Sequence, residues 1–375
     1  MLNWVLIPLA LSYVVFLIII IRGWTRTGTR KHGKTDKPFV SIVIPVRDEV
    51  RNIPDLITCL ENQEYGTGLF EVIFIDDHSS DGTAERIREY AQSGLLEIKV
   101  FALDTTGTAT APKKAAISLG VAESSGPIVL LTDGDVTFGA HWIESMVEAF
   151  NDPLVRFVSG PVMMHSTRCV EDIQAIEFSS LIGTGAAFIS YNRPVLCNAA
   201  NLAFRKAAFD EVNGYEGYSQ IASGDDEFLM YKIDRRYPAS VTFAGREEAT
   251  VWIEPVSGLR DFIHQRRRWA GKWARHPNPG TKVLAVYIFL VHLSFLMLII
   301  AGLLKLVPAF VVIVLWIVKT FLEFVFFKRI HRFFNKKLKL APFIISSLIY
   351  SIYAVTFGIL SNFGRYTWKG RYYKN

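Results

Sequence analysis

The chain has 375 residues, half of them hydrophobic, with 41 Lys and Arg against 35 Asp and Glu. That length holds one globular domain of ordinary size and leaves about a hundred residues over. The positive excess is confined to residues 283–375, where twelve basic residues meet one acidic residue, Glu323, leaving 29 basic and 34 acidic residues elsewhere. Basic charge set among apolar runs marks membrane orientation and anionic headgroups, so the composition argues against nucleic acid as a partner and for membrane lipids.

In chain order, Trp4–Ile21 is almost unbroken hydrophobic, close to the roughly 20 residues that span a bilayer. No basic residue precedes it and no small-residue cleavage pattern follows, so it reads as an uncleaved anchor. Arg22, Arg26, Arg30, Lys31, Lys34 and Lys37 crowd its C-terminal end and place the next segment on the cytoplasmic side of the inner membrane. Phe39–Val46, Glu71–Asp76, Glu97–Leu103 and Ile128–Thr132 then read as buried strands, alternating with helices at 50–62, 83–92 and 113–123. This alternation predicts an α/β fold with a mostly parallel sheet covered on both faces. Gly107–Pro112, all small residues, is expected to form a loop near the ligand edge.

Beyond Phe150 the pattern is mixed: a strand near Phe157–Met164, a helix through Ile173–Ile189, a short element at Asn198–Arg205 and a helix from about Asp225 to Asp234. Ser240–Phe243 and Thr250–Ile253 are β-like. Ser257–Trp273 is amphipathic, with Phe262, Trp269 and Trp273 among basic residues, as in a helix lying on a membrane surface. Val283–Leu304, Leu306–Phe327 and Ala341–Phe363 are long enough to span. Lys328, Arg329, Arg332, Lys336, Lys337 and Lys339 fall on the cytoplasmic side if all spans cross, but Arg365, Lys369, Arg371 and Lys374 would then lie outside. Either the charge rule yields at the tail, or one C-terminal segment is re-entrant or interfacial, the second being the expectation here. The expected organisation is an anchor at 1–22, a catalytic domain at 38–275, membrane helices at 283–364 and a basic tail at 365–375.

Ligands of parallel sheets sit at the carboxyl ends of the strands, and the acidic clusters Asp48/Glu49, Asp76/Asp77 and Asp133/Asp135 all fall there. Asp133-Gly134-Asp135 directly follows the apolar run Ile128–Leu131, which suits a hard divalent cation shared with a phosphorylated substrate. No His/Cys set accompanies it, so Mg²⁺ or Mn²⁺ is expected rather than Zn²⁺. Cys59, Cys169 and Cys197 show neither metal-ligand spacing nor a disulfide frame.

Ser41-Ile42-Val43-Ile44-Pro45-Val46-Arg47-Asp48-Glu49, Ile75-Asp76-Asp77-His78-Ser79-Ser80-Asp81-Gly82-Thr83, Asp133-Gly134-Asp135, Gly224-Asp225-Asp226 and Gln265-Arg266-Arg267-Arg268-Trp269 occur in that order. The series resembles the family-2 glycosyltransferases over roughly residues 39–275. The resemblance implies the Rossmann-like GT-A fold, a nucleotide-sugar donor and inversion at the anomeric carbon. It also implies Asp135 as metal ligand, Asp133 bridging metal and donor, and Asp77 as the contact to a uracil ring. Pro45, Glu49 and Lys113 are placed by it beside the nucleotide. Asp226 is implied as general base, with Asp225 the other candidate, and Gln265, Arg268 and Trp269 lie over the active site. The chain departs from the family at His78, where glycine is common, at Asp225, and at Pro112 and Ser118 around Lys113.

Other readings stand beside these. Asp76 also suits a loop cap, Asp81 and Thr83 suit a turn and helix start, and Arg266 and Arg267 are left to meet lipid phosphates. Lys319 and Glu323, four residues apart in an apolar run, suit a self-satisfying pair. The acceptor is expected to be a lipid-type hydroxyl or, alternatively, a growing glycan on a processive synthase. A non-catalytic sugar- or nucleotide-binding membrane protein is the reading from another class. Oligomeric state is left open.

Overall fold

The computed structural model describes residues 3–27, 37–66, 68–104, 111–272, 275–360, 363, 365–369 and 371–374. Residues 107–110 of the small-residue stretch, Arg30, Lys31, Lys34 and Trp273 lie outside these. The chain forms two compact units that do not follow it consecutively. One comprises Thr27–His165 and Phe188–Glu254; the other comprises Met1–Arg26, Ser166–Ala187 and Pro255–Asn375.

The chain order is α1 (Asn3–Thr27), β1 (Val40–Val46), α2 (Ile53–Glu61), β2 (Phe70–Asp76), α3 (Thr83–Gln92), β3 (Ile98–Ala102), α4 (Pro112–Ala122), β4 (Ile128–Leu131), β5 (Val136–Phe138) and α5 (Trp142–Val147). Then come β6 (Phe157–Ser159), β7 (Val162–Met164), α6 (Cys169–Ser190), β8 (Leu202–Arg205), α7 (Lys206–Glu211), α8 (Asp225–Arg236), β9 (Val241–Phe243) and β10 (Val251–Ile253). The C-terminal part holds α9 (Leu259–Gly271), α10 (Pro279–Leu303), α11 (Ala309–Phe333), α12 (Leu340–Leu360), β11 (Arg365–Trp368) and β12 (Arg371–Lys374).

In the α/β unit, a seven-stranded sheet among the described residues has the order β3-β2-β1-β4-β8-β6-β9, with β3, β2, β1 and β4 mutually parallel. β1 and β2 are continuous apolar runs because both faces are covered, and Ile42, Val43 and Ile44 have no exposed surface. Each such side chain contributes about 1.5–3 kcal/mol on burial. The register pairs Val40 with Phe70 and Val46 with Asp76, so the carboxyl ends of β1 and β2 finish level. At the opposite end, the buried Glu71 carboxylate accepts from Ser41 Oγ at 2.6 Å, Lys99 Nζ at 2.5 Å and the Ser125 amide at 2.6 Å. Burial pushes this carboxyl up, but those donors win and hold it below its ordinary value.

The single strand expected at Phe157–Met164 is instead two. β6 joins the large sheet and β7 pairs with β10 in a smaller sheet of order β5-β10-β7. The break falls at Gly160-Pro161, where the Asn201 side chain packs so close that a Cβ on Gly160 would sit 2.3 Å from it. Asn201 Nδ2 bonds the Pro161 carbonyl at 2.8 Å, and its Oδ1 accepts from the Trp142 indole at 3.0 Å.

In the other unit, α1, α10, α11 and α12 join one another through a buried polar cluster. Lys319 Nζ pairs with Glu323 Oε2 at 2.8 Å, while Tyr13 and Ser347 donate to the same carboxylate at 3.2 and 2.8 Å. His292 Nδ1 meets Ser351 Oγ at 3.0 Å. Among the described residues, α1, α6, α10, α11 and α12 are long and apolar enough to cross a bilayer. The protein is accordingly a membrane protein. In α6 the flanking chain belongs at both ends to the α/β unit, so a crossing would divide that compact unit between two compartments.

Along α12, Phe343 packs on Phe324 and Phe327 of α11, and Ser351 meets His292 of α10. Gly358 then lies against Phe289, nearer the N-terminus of α10. Toward the same end, Tyr353 and Phe357 pack on Phe262 of α9. α12 therefore packs on both α10 and α11, and the antiparallel β11–β12 hairpin that follows it packs on α9.

Candidate active site

The loops after β1 and β2 form one side of the site. Asp48 and His78 occupy left-handed backbone conformations, at φ 52° and 57°, which turn the chain sharply off each strand end. Between the loops, Ser80 N donates to Asp48 Oδ1 at 2.8 Å and Glu49 N to Thr83 Oγ1 at 2.8 Å. Asp81 accepts from the Val50 amide at 3.0 Å and from the Thr83 amide at 3.1 Å. Burial pushes the Asp81 carboxyl up, but the Thr83 hydroxyl and these amides hold it lower than usual. Asp81 and Thr83 are thus the turn and helix-start residues expected, and Asp76 caps the Ser79 amide at 3.3 Å.

Asp77 is buried at the end of β2, 3.8 Å from Arg47 Nη1 and 3.2 Å from His78 Nδ1. Pro45 is on β1, and Glu49 is buried in the loop after it, bonded to Asn52 Nδ2 at 2.5 Å. Gly134 explains how the next loop reaches this edge. A Cβ there would lie 2.9 Å from Val46 and 3.2 Å from Glu49, so only glycine lets Asp133 and Asp135 come up against the end of β1.

On the second side, Lys113 and Lys114 at the start of α4 take opposite tasks. Lys113 Nζ lies 2.6 Å from Asp133 Oδ1 and 3.4 Å from Asp225 Oδ2, joining two acidic sequences ninety residues apart. Lys114 is buried and donates to the carbonyls of Tyr218, Ile221 and Ser223 at 3.0, 2.7 and 3.1 Å. It thereby fixes the segment leading into Gly224, whose left-handed φ of 78° starts α8. Asp225, Asp226 and Glu227 are all buried in the first turn of α8, where helix polarity favours negative charge. Asp226 is held through both oxygens, by the Ala199 amide at 3.2 Å and the Glu227 amide at 2.7 Å.

Sequence reasoning missed Lys114 and Tyr215. The buried Tyr215 hydroxyl has no hydrogen-bond partner among the described residues. Burial, then the charges of Asp225 and Asp226, keep it protonated far above the ordinary range. Nothing in the local pattern sets either residue apart from a core position.

Gln265, Arg268 and Trp269 are carried by α9 in the other unit. There Arg268 is half-buried and Trp269 packs on Phe178 of α6 at 5.9 Å. Arg266, expected to meet lipid, is instead 2% exposed and ion-paired with Glu177 of α6. Arg267 donates to the Phe363 carbonyl at 2.8 Å.

As to a metal, no group of three His, Cys, Asp or Glu side chains is gathered among the described residues. What Asp133 and the exposed Asp135 offer is a pair of hard oxygen ligands flanking a glycine, with further positions left to phosphate and water. That donor set fits Mg²⁺ or Mn²⁺.

A mostly parallel sheet with carboxylates gathered at its strand ends is the arrangement in which α/β folds bind their ligands. The description "Glycosyl transferase family 2" matches residues 41–212, and "Glycosyl transferase family group 2" matches residues 128–359; the chain belongs to this glycosyltransferase family. It is similar to glycosyltransferase AglE of Haloferax volcanii, 33% identical over 126 residues, which are 33% of this chain and 40% of that protein. The probable glycosyltransferase YdaM of Bacillus subtilis is 22% identical over 250 residues, 64% of this chain and 56% of that one. The chain thus spans about half the length of these curated relatives. In fold it is similar to the mannosyltransferase PcManGT from Pyrobaculum calidifontis, solved with GDP-Man and Mn²⁺. The TM-score is 0.61 at 16% identity over 94% of this chain and 99% of that one.

Proposed function

We propose that this chain is a metal-dependent inverting glycosyltransferase of the inner membrane, its α/β unit cytoplasmic. It moves a sugar from a nucleoside diphosphate, UDP first, to the hydroxyl of a lipid-type acceptor. The observation that carries the reading is the Lys113 ammonium held between Asp133 and Asp225, which supports the acidic pair after β4 and the start of α8, where Asp226 follows Asp225, acting on one substrate.

Asp77 and Glu49 bind the nucleotide beside Pro45, and Asp133 and Asp135 hold the divalent cation. When bound, that cation supplies charge stabilisation to the departing diphosphate. Lys113 adds a second positive charge beside the same leaving group. Asp226 takes the acceptor hydroxyl proton as the new C–O bond forms and the bond to the diphosphate breaks, a contribution of roughly 10²–10⁴ in rate. The amides of Ala199 and Glu227 fix the carboxylate for that transfer. The family resemblance assigns Gln265, Arg268 and Trp269 to the same reaction, Arg268 to pair with pyrophosphate and Trp269 to offer a flat face to a sugar. Hydrophobic helices and the amphipathic α9 support an acceptor drawn from the bilayer.

Membranes carrying the wild type or Asp226→Asn, supplied with labelled nucleotide-sugars and Mn²⁺, test this. Label in the organic-extractable fraction of the wild type alone is expected. Wild-type label in long polymer instead would make the chain a processive synthase, and equal label from both proteins would remove Asp226 as the base.

A further inference from the structure

We propose that Arg266 is a positioning residue, whose guanidinium holds Gln265 and Trp269 in their working orientation. The proposal rests on the glycosyltransferase reading, since those two side chains matter to the reaction only under it.

Three arginines follow one another on α9, yet Arg266 is 2% exposed while Arg267 and Arg268 are half-buried. Its fork is fully engaged. Nη2 pairs with Glu177 of α6, Nε donates to the Tyr353 hydroxyl of α12 at 3.2 Å, and Nη1 donates to Gln265 Oε1. The Tyr353 hydroxyl in turn donates to the other Glu177 oxygen at 2.9 Å. The guanidinium carbon lies 4.4 Å from the Phe262 ring centre and 4.5 Å from that of Trp269. Phe262 and Trp269 are four residues before and three after Arg266, so helical spacing sets all three on one face.

A buried ion pair needed for packing alone has a simple substitute, because apolar residues of similar volume often replace one without loss of stability. Here the same planar group also fixes a glutamine amide and an indole. Lysine, a point charge without a fork, would reproduce the charge and lose that geometry. Glu177 and Tyr353 anchor the guanidinium from outside α9, and the guanidinium then orients what α9 presents.

The test uses the full chain in detergent, with Arg266→Met, Glu177→Met, the double variant and Arg266→Lys. For each, thermal unfolding, hydrogen exchange over 259–271 and turnover of labelled UDP-glucose, UDP-N-acetylglucosamine and GDP-mannose with Mn²⁺ are measured. Each single Met variant should lose thermal stability, and the double variant should recover it. In the double variant and in Arg266→Lys, kcat should stay at least tenfold below wild type with donor KM within twofold. Recovery of kcat together with stability in the double variant would reduce Arg266 to packing and overturn the proposal. Asp226→Asn run alongside separates the two ideas: turnover equal to wild type there sinks the catalytic reading. If no donor is turned over by the wild type, faster exchange of α9 amides in the double variant supports the positioning role, and unchanged exchange overturns it.

Discussion

Lys114→Met removes an ammonium that nothing within its own helix explains. A cation in the first turn of a helix is disfavoured by the helix dipole, by about 0.3–1 kcal/mol, and yet Lys114 is 2% exposed there. What holds it is the trio of carbonyls from Tyr218, Ile221 and Ser223, together with the Phe228 ring 4.5 Å away. Hydrogen bonds to a charged group contribute about 1.5–3 kcal/mol each. Against that gross gain stands the desolvation of a buried ammonium, several kcal/mol, which methionine does not incur. The net loss is about 3 kcal/mol, or roughly 6–12 °C in Tm for a unit of some 200 residues. Because 218–223 runs directly into Asp225 and Asp226, loosening it should also misplace the base and lower kcat by on the order of 10²-fold. Thermal unfolding and metal-dependent sugar transfer check both effects. A Lys114→Met protein that melts within about 2 °C of wild type and keeps kcat within twofold would refute the reasoning.

The neighbouring Lys113→Met should do the reverse, abolishing transfer while moving Tm little, because its partners are two site carboxylates and not a loop backbone; a large drop in Tm would count against this. His78→Gly should raise stability by about 1 kcal/mol by relieving a left-handed backbone, read as a higher denaturant midpoint, and an unchanged or lower midpoint would argue against strain there. Glu71 has a folded-state value below its ordinary 4.5, so its contribution is complete above that value and lost as pH falls through the lower one. Glu71→Gln should lower stability at neutral pH and flatten its decline below about pH 4.5; parallel acid profiles would contradict this. Lys319→Met or Glu323→Leu alone should cost about 3–5 kcal/mol and the double change much less, as measured by detergent-solubilised thermal unfolding; additive losses would show that the pair is not a coupled unit.

The parts of the α/β unit that sequence made legible are those written as local pattern. Continuous apolar runs marked β1, β2 and β4, and each ended in the carboxylates now found at the sheet edge. The carboxylates themselves were legible because a short sequence separates them from a buried strand. Tertiary contacts were not legible. The break between β6 and β7 is held by Asn201 reaching Pro161 from forty residues away, and although Gly160-Pro161 is itself a turn signal, the partner that holds it is not local. Lys114 differs from Lys113 only in which way α4 turns it. Arg266 and Arg267 looked interchangeable because the residue that selects Arg266, Glu177, lies on another helix.

The membrane part shows why hydropathy and charge have to be weighed together. By length and composition alone, α6 and α12 both qualify as spans. For α6 the contrary signal is charge: Asp172 pairs with Lys339 at 2.8 Å and Glu177 with Arg266. Each of these acids would need its partner inside hydrocarbon if the helix crossed, a cost that membrane helices meet rarely. For α12 the signal lies beyond the helix. Arg365, Lys369, Arg371 and Lys374 depart from the positive-inside pattern if α12 crosses, and the hairpin that carries them packs on α9.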